Sequence, residues 1–287
     1  MNKFLLDVLA NLAANLVSTL ILALIGILIY IFLYWRNRRG ILRFFGINNV
    51  QPSICIYMSR LTIKPRGTSA IEYVEKGYSG PAITKLEYDG ALLIQNELKS
   101  RLLALLPTNL QDWIGQQNIE LKTIDVPIKL SSLQPINDQV FNNNLIIIGS
   151  GIYNSLSHYY LNEYFQNHSQ HYSRYFYHEK DNQGKRVIGI YQRGINNAPI
   201  EGRDQNNEPA FILRIKDLDH NNINVFICGG LGSSATYGSV RYLAKNWKRL
   251  QEKFQNKEFG IALVFPNQEP DGEFVQEPIV RTEFSLR

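Results

Sequence analysis

The sequence predicts a mixed α/β protein in which an apolar N-terminal helix leads into a three-layer sandwich. The sandwich is built on a mainly parallel sheet with one antiparallel hairpin. Three observations carry this expectation. Residues 8–35 contain no charged side chain. Residues 145–149, LIIIG, form an apolar run without alternation, as in a central strand covered by helices on both faces. A strand, a glycine turn and a helix follow one another twice, at 145–165 and again at 225–247.

The densest apolar stretch, 16–35, matches the ~20 residues that cross a bilayer as a helix. Tyr30, Tyr34 and Trp35 gather at its end, as interfacial aromatics do, and Arg36, Arg38 and Arg39 follow at once. The run is too long for a signal peptide and lacks a small-residue cleavage site. An uncleaved transmembrane anchor in the cell membrane is therefore expected. Only Lys3 opposes the arginines, so the positive-inside rule places the C-terminal domain in the cytoplasm. Asp7, Asn11, Asn15 and Ser18 share one helix face, with Ala10, Ala14 and Ser18 forming a small-xxx-small series. That pattern suits a homo-oligomer joined through Asn11, Asn15 and Ser18, and equally suits first turns lying among headgroups.

Residues 1–39 thus read as anchor and basic flank, 40–52 as a juxtamembrane joint, and 53–287 as one soluble domain. In the joint, Ile41, Leu42, Phe44 and Phe45 are expected at the lipid interface, with Arg43 meeting anionic lipid. The net charge of +5 comes largely from this arginine cluster. No basic stripe with interleaved aromatics marks the rest of the chain, which argues against a nucleic-acid partner. The two cysteines, Cys55 and Cys228, lie in predicted strands, where a thiol behaves as a small hydrophobe. There is no CxxC and no Cys/His spacing suited to zinc, so no metal site is expected.

Along the domain, 53–63 reads as a strand and 86–106 as a long helix closed by Pro107. Residues 112–117 read as a short helix or turn and 119–130 as a strand, suited to a sheet edge by Pro127. Residues 168–194 suggest hairpin strands and 196–209 a polar loop. An antiparallel hairpin follows over 208–228, turning at 219–222, where Asp and Asn tolerate left-handed backbone. A helix is expected over 236–256, a buried strand over 259–265, and a last strand near 279–284.

The candidate site comes from the two glycine turns. Gly230-Leu-Gly232-Ser233-Ser234-Ala235 fits G-x-G-x-x-A, in which the glycines allow a tight turn and close approach of backbone to phosphate. Ser233, Ser234 and Thr236 add hydroxyls where the helix amino end presents free amides to an anion. The unit comes late in the chain and no acid closes the next strand, so the glycines also fit a purely steric role. Gly149, Gly151 and Asn154 form the partner turn, with Asn154 either reading a ligand edge or capping a helix. Glu87 either caps the amino end of its helix or, as a nucleophile or ribose-binding acid, faces the same crevice as the strand end Tyr57-Met58-Ser59-Arg60. The five histidines show no metal spacing, and no Ser/His/Asp set or Walker loop is present.

Two such turns in one sheet give the Rossmann-like pattern. The single span, the arginine-rich LRFFGI joint, the strand ICIYMSRL, the loop NLIIIGSGIYNS and the late VFICGGLGSSATYGSVRYLAKNW unit together resemble membrane-anchored bacterial proteins with a Rossmann-like soluble domain. They are also similar to bacterial Rossmann-like domains that sense or process nucleotides, some in defence systems. That resemblance implies a nucleotide-like ligand. The expectation is a sensor binding a phosphate-bearing small molecule at the two loops. The alternatives are a nucleotide-processing hydrolase or transferase using Glu87, and a membrane-tethered interaction module without a ligand.

Overall fold

A computed structural model of the chain describes residues 3–47, 53–63, 80–99, 119–125, 138–152, 154–180, 183–202, 207–220, 222–266 and 277–287. Pro107, Pro127 and the 112–117 turn lie outside them.

Helix α1, Lys3–Phe44, is 42 residues long, or about 63 Å at 1.5 Å per residue. Its segment from Asn11 onward is long and apolar enough to cross a membrane, and its most apolar part is wholly exposed. An all-apolar helix surface bare to water would be costly, and a bilayer removes that cost. Within the span, Ser18 Oγ donates to the Ala14 carbonyl at 2.8 Å, while Asn15 stays exposed.

The strands are β1 (Ile54–Ile63), β2 (Gly80–Ala82), β3 (Ile119–Asp125), β4 (Asn144–Ile148), β5 (Arg174–Lys180), β6 (Arg186–Gln192), β7 (Ile195–Gly202), β8 (Asn207–Lys216), β9 (Asn224–Gly230), β10 (Phe259–Pro266) and β11 (Ile279–Ser285). The helices after α1 are α2 (Lys85–Leu98) and α4 (Ser233–Phe254), with α3 between them. Helix α3 starts as Ser155–His158, widens into a π segment over Tyr159–Tyr164, and ends at Phe165–Asn167.

In the main sheet β3, β1, β4 and β9 run parallel in that order. The sheet continues through β8, β10 and β11, each antiparallel to its neighbour, and the short β2 pairs antiparallel with the end of β1. The 208–228 hairpin is thus present as β8 and β9. A separate antiparallel sheet holds β5, β6 and β7. Strand β7 takes the first part of the polar loop expected over 196–209, and residues 203–206 lie outside the described residues; its backbone ladders onto β6 despite a polar sequence, because strand formation follows cross-strand context more than composition.

Two cores result. On one face Ile56, Met58, Ile146, Ile148 and Phe226 pack under α2 and α4. On the other Leu145, Ile147, Val225 and Ile227 pack against α3 and the three-stranded sheet. Alternate residues of β4 and β9 thus serve opposite cores, which is why both strands are apolar throughout. Cys55 and Cys228 are free and buried, and burial pushes both thiols up in pKa.

Two expectations are corrected. Helix α2 closes at Leu98, where Lys99 takes extended backbone while its N–H still bonds the Gln95 carbonyl, so the helix expected from 86 is interrupted there; residues 100–106 lie outside the described residues. The apolar side chains at the end of α1 do not rest in lipid: Ile41, Phe44, Phe45 and Ile47 are buried in the domain core and Leu42 packs half-buried against it, while Arg43 stays exposed. Phe44 meets Phe226, Trp247 and Phe259, with ring centroids 5.3, 6.4 and 6.3 Å away. Arg38 is buried and donates to the Leu98 carbonyl, satisfying the last turn of α2. Asn144 Nδ2 donates to the Gly46 carbonyl at 3.1 Å and its Oδ1 accepts from Asn224 N at 2.9 Å. One amide therefore ties α1 to the first residues of β4 and β9, so α1 joins the domain at the amino ends of the parallel strands.

Candidate functional site

The opposite end of the sheet carries the residues of interest. Strand β1 leads through α2 to β3 on one side, whereas β4 pairs on its other side and leads to β9. The connecting helices α2 and α3 lie on opposite faces. Strand order therefore reverses between β1 and β4. In open α/β sheets the crevice outside the carboxyl ends at such a reversal is where ligands bind.

Ser59, Gly149 and Glu87 meet at that point. Gly149 has φ +127°, a backbone that side chains rarely adopt, and a Cβ there would lie 2.6 Å from Ser59 Oγ. Gly149 is required on both counts. Its N–H extends the ladder to the Cys228 carbonyl at 2.9 Å. Glu87 opens α2, where Thr84 caps it by accepting from Glu87 N at 3.3 Å. The buried Glu87 carboxylate in turn accepts from Ser59 N at 3.2 Å. Burial pushes its pKa up to about 7, and the Ser59 amide and hydroxyl pull the other way. The Ser59 hydroxyl is buried and faces the carboxyl without reaching hydrogen-bond geometry to it.

Asn154 takes its capping role in full. Its Oδ1 accepts from Leu156 N at 3.0 Å and Ser157 N at 3.3 Å, while Nδ2 donates to the Ile148 carbonyl at 3.1 Å. Ser157 Oγ donates to the Gly149 carbonyl at 2.7 Å, so the turn is held from both sides. Gly151 is buried, and a Cβ there would come within 3.3 Å of Leu161.

The later turn lies one strand further along. Gly230 is packed under the helix start: a Cβ would lie 2.5 Å from that of Ala235 and 2.7 Å from Thr236 N. Its absent side chain therefore lets α4 sit close to β9, and Thr236 is buried beside it. Gly232 is the N-cap of α4 and offers no side-chain cap; Thr236 N bonds the Gly232 carbonyl at 2.9 Å. Ser233 is exposed and Ser234 half-buried, so the open part of the turn is the first turn of the helix. Helices α2 and α4 lie side by side, because Gly90 lets Val240 and Tyr237 approach to 3.3 and 3.5 Å of its Cβ position. Both amino ends consequently open at the carboxyl edge of the sheet, as two positive dipole ends on one side.

One nearby group escaped the sequence reading. His178, on β5, has both ring nitrogens buried without a hydrogen bond among the described residues, and its ring lies 5.8 Å from that of Phe211. Burial, then Arg186 and His158, lower its pKa to about 4, so it is neutral at physiological pH. Its only sequence signal was alternation with Phe176 inside an aromatic strand. Among the described residues no three His, Cys, Asp or Glu side chains converge as metal ligands.

The fold and site define a mixed α/β domain joined to a helix able to span a membrane. No protein-family model, no curated protein and no solved structure matches the chain.

Proposed function

We propose that the chain is a single-pass membrane protein whose Rossmann-like cytoplasmic domain senses a phosphate-bearing small molecule of nucleotide type. The observation that carries this reading is the amino end of α4, uncapped by any side chain and one strand along from the reversal beside which α2 begins. Free amides and the dipole of a 22-residue helix favour an anion there. The arginine flank of α1 supports the cytoplasmic placement.

Geometry also supports a route for the signal. Helices α2 and α4 begin beside the site and end at α1: the Leu98 carbonyl of α2 holds Arg38, and Trp247 of α4 packs on Gly40 and Phe44. A ligand that draws the two amino ends together would tilt both rods against α1. Self-association of α1 through Asn11, Asn15 and Ser18 would convert that tilt into a change between subunits.

A second reading is favoured by Glu87. A buried carboxyl near pH 7, beside a serine at a strand end, has the properties of a general acid in a hydrolase or transferase.

Thermal unfolding of the full chain in detergent, with a panel of nucleotides and inorganic phosphate, tests the proposal. At 100 times its dissociation constant, a ligand raises stability by about 2.7 kcal/mol. At least one phosphate compound is expected to raise the melting temperature. Ser233→Glu, which puts a carboxylate at the exposed first turn of α4, is expected to abolish the rise while leaving the unliganded protein folded. Absence of a shift with every compound contradicts the reading.

A further inference from the structure

The four arginines after the apolar stretch do not act alike. Arg38 turns into the domain and serves α2. Arg36, Arg39 and Arg43 are exposed, and among the described residues none has an acidic or carbonyl partner. They lie on one side of α1 and line an open groove of about 600 Å³. Toward the apolar end, Leu28, Ile31, Phe32 and Trp35 line the same groove. Gly40, between Arg36 and Arg43, also lines the groove, and Trp247 packs where its side chain would be.

We infer that this face of α1 is a binding site for one anionic phospholipid, its phosphate at Arg36, Arg39 and Arg43 and its acyl chain along Leu28, Ile31, Phe32 and Trp35. The proposal rests on α1 spanning the membrane and is independent of any ligand at the strand ends. Length supports it: Leu28 to Arg43 spans about 22 Å at 1.5 Å per residue, close to one leaflet of a bilayer about 40–45 Å thick with its headgroups. Charge supports it as well. Among the described residues no acid lines the groove, and guanidinium groups bind phosphate in paired hydrogen bonds. A soluble polyanion would meet the arginines but have no use for the apolar half. A zwitterionic lipid would fit the apolar half but bring a cation to the three guanidiniums.

The full chain purified in mild detergent from membranes holding both lipid classes tests this by mass spectrometry of the lipids retained. The wild type is expected to keep anionic phospholipid over phosphatidylethanolamine. Arg36→Gln/Arg39→Gln/Arg43→Gln is expected to lose that preference by about fivefold or more, whereas Lys245→Gln/Lys248→Gln on α4 keeps it. Carbonate extraction of the wild type in vesicles separates the two possible failures. If the chain stays in vesicles but the triple variant retains anionic lipid as the wild type does, the lipid site is overturned and the span stands. If carbonate releases the wild type, the span fails and the lipid site with it.

Discussion

Replacing Glu87 with glutamine is expected to stabilise the protein by about 3 kcal/mol at pH 8 and to leave it nearly unchanged at pH 4. The folded state holds this carboxyl near pH 7, above its ordinary 4.5, because it is buried beside the sheet edge. A raised carboxyl pKa means that the native state binds the proton more tightly than the unfolded chain. Stability from this group is therefore full below pH 4.5, falls as pH rises toward 7, and stays low above it. Glutamine is neutral throughout and still accepts from Ser59 N. His178 acts in the opposite sense: its pKa is lowered to about 4, so its contribution is full above 6.5 and is lost as pH falls toward 4. The difference between Glu87→Gln and wild type, measured by denaturant unfolding across pH 4–8, isolates Glu87 from this opposing slope. A difference that does not grow with pH contradicts the assignment. A carboxyl that weakens the fold at neutral pH is a mark of a site shaped for chemistry or binding.

Phe44→Ala is expected to cost about 3–5 kcal/mol, the range for emptying a buried phenylalanine. Phe44 is fully buried, although it closes a helix whose earlier turns are bare. It stacks among Phe226, Trp247 and Phe259, and the Arg214 guanidinium lies 5.4 Å from its ring. Arg214 is itself buried and anchored by a 2.7 Å bond to the Gln255 carbonyl, so losing the ring also strips a desolvated cation of one partner. Phe32→Ala on the same helix is the contrast, because Phe32 is exposed and lies in the apolar span. Denaturant unfolding of both variants in detergent should show a large loss for Phe44→Ala and little for Phe32→Ala. Equal effects would mean that α1 and the domain are not one packed unit.

The sequence made the apolar strands legible, because β4, β9 and β10 are buried on both faces and carry no alternation to confuse them. It also made the turns legible through Gly149, Gly230 and Asn154, whose geometry demands those residues. Strand β7 was hidden, since its pairing to β6 rests on backbone bonds that polar side chains do not announce. Ile41, Phe44 and Phe45 have the i, i+3, i+4 spacing of a core-facing stripe, but Arg43 among them made a lipid interface equally consistent. The meeting of Ser59, Glu87 and Gly149 was the least legible feature. It depends on β4 pairing beside β1 across about 90 residues of chain, a choice made by tertiary packing. The late glycine motif drew attention by its pattern, yet Gly230 serves steric fit, and the strand-order reversal lies elsewhere.

Hydrogen exchange of the full chain, with and without the phosphate compound that raises its melting temperature, tests directly whether the ligand sits at these strand ends. Slower exchange is expected at the amides of residues 149–154 and 233–236, at the carboxyl ends of β4 and β9. A smaller change should follow near Arg38 and Trp247, where α2 and α4 reach α1. Protection confined to other parts of the domain, with those amides unchanged, would contradict a site at the strand-order reversal.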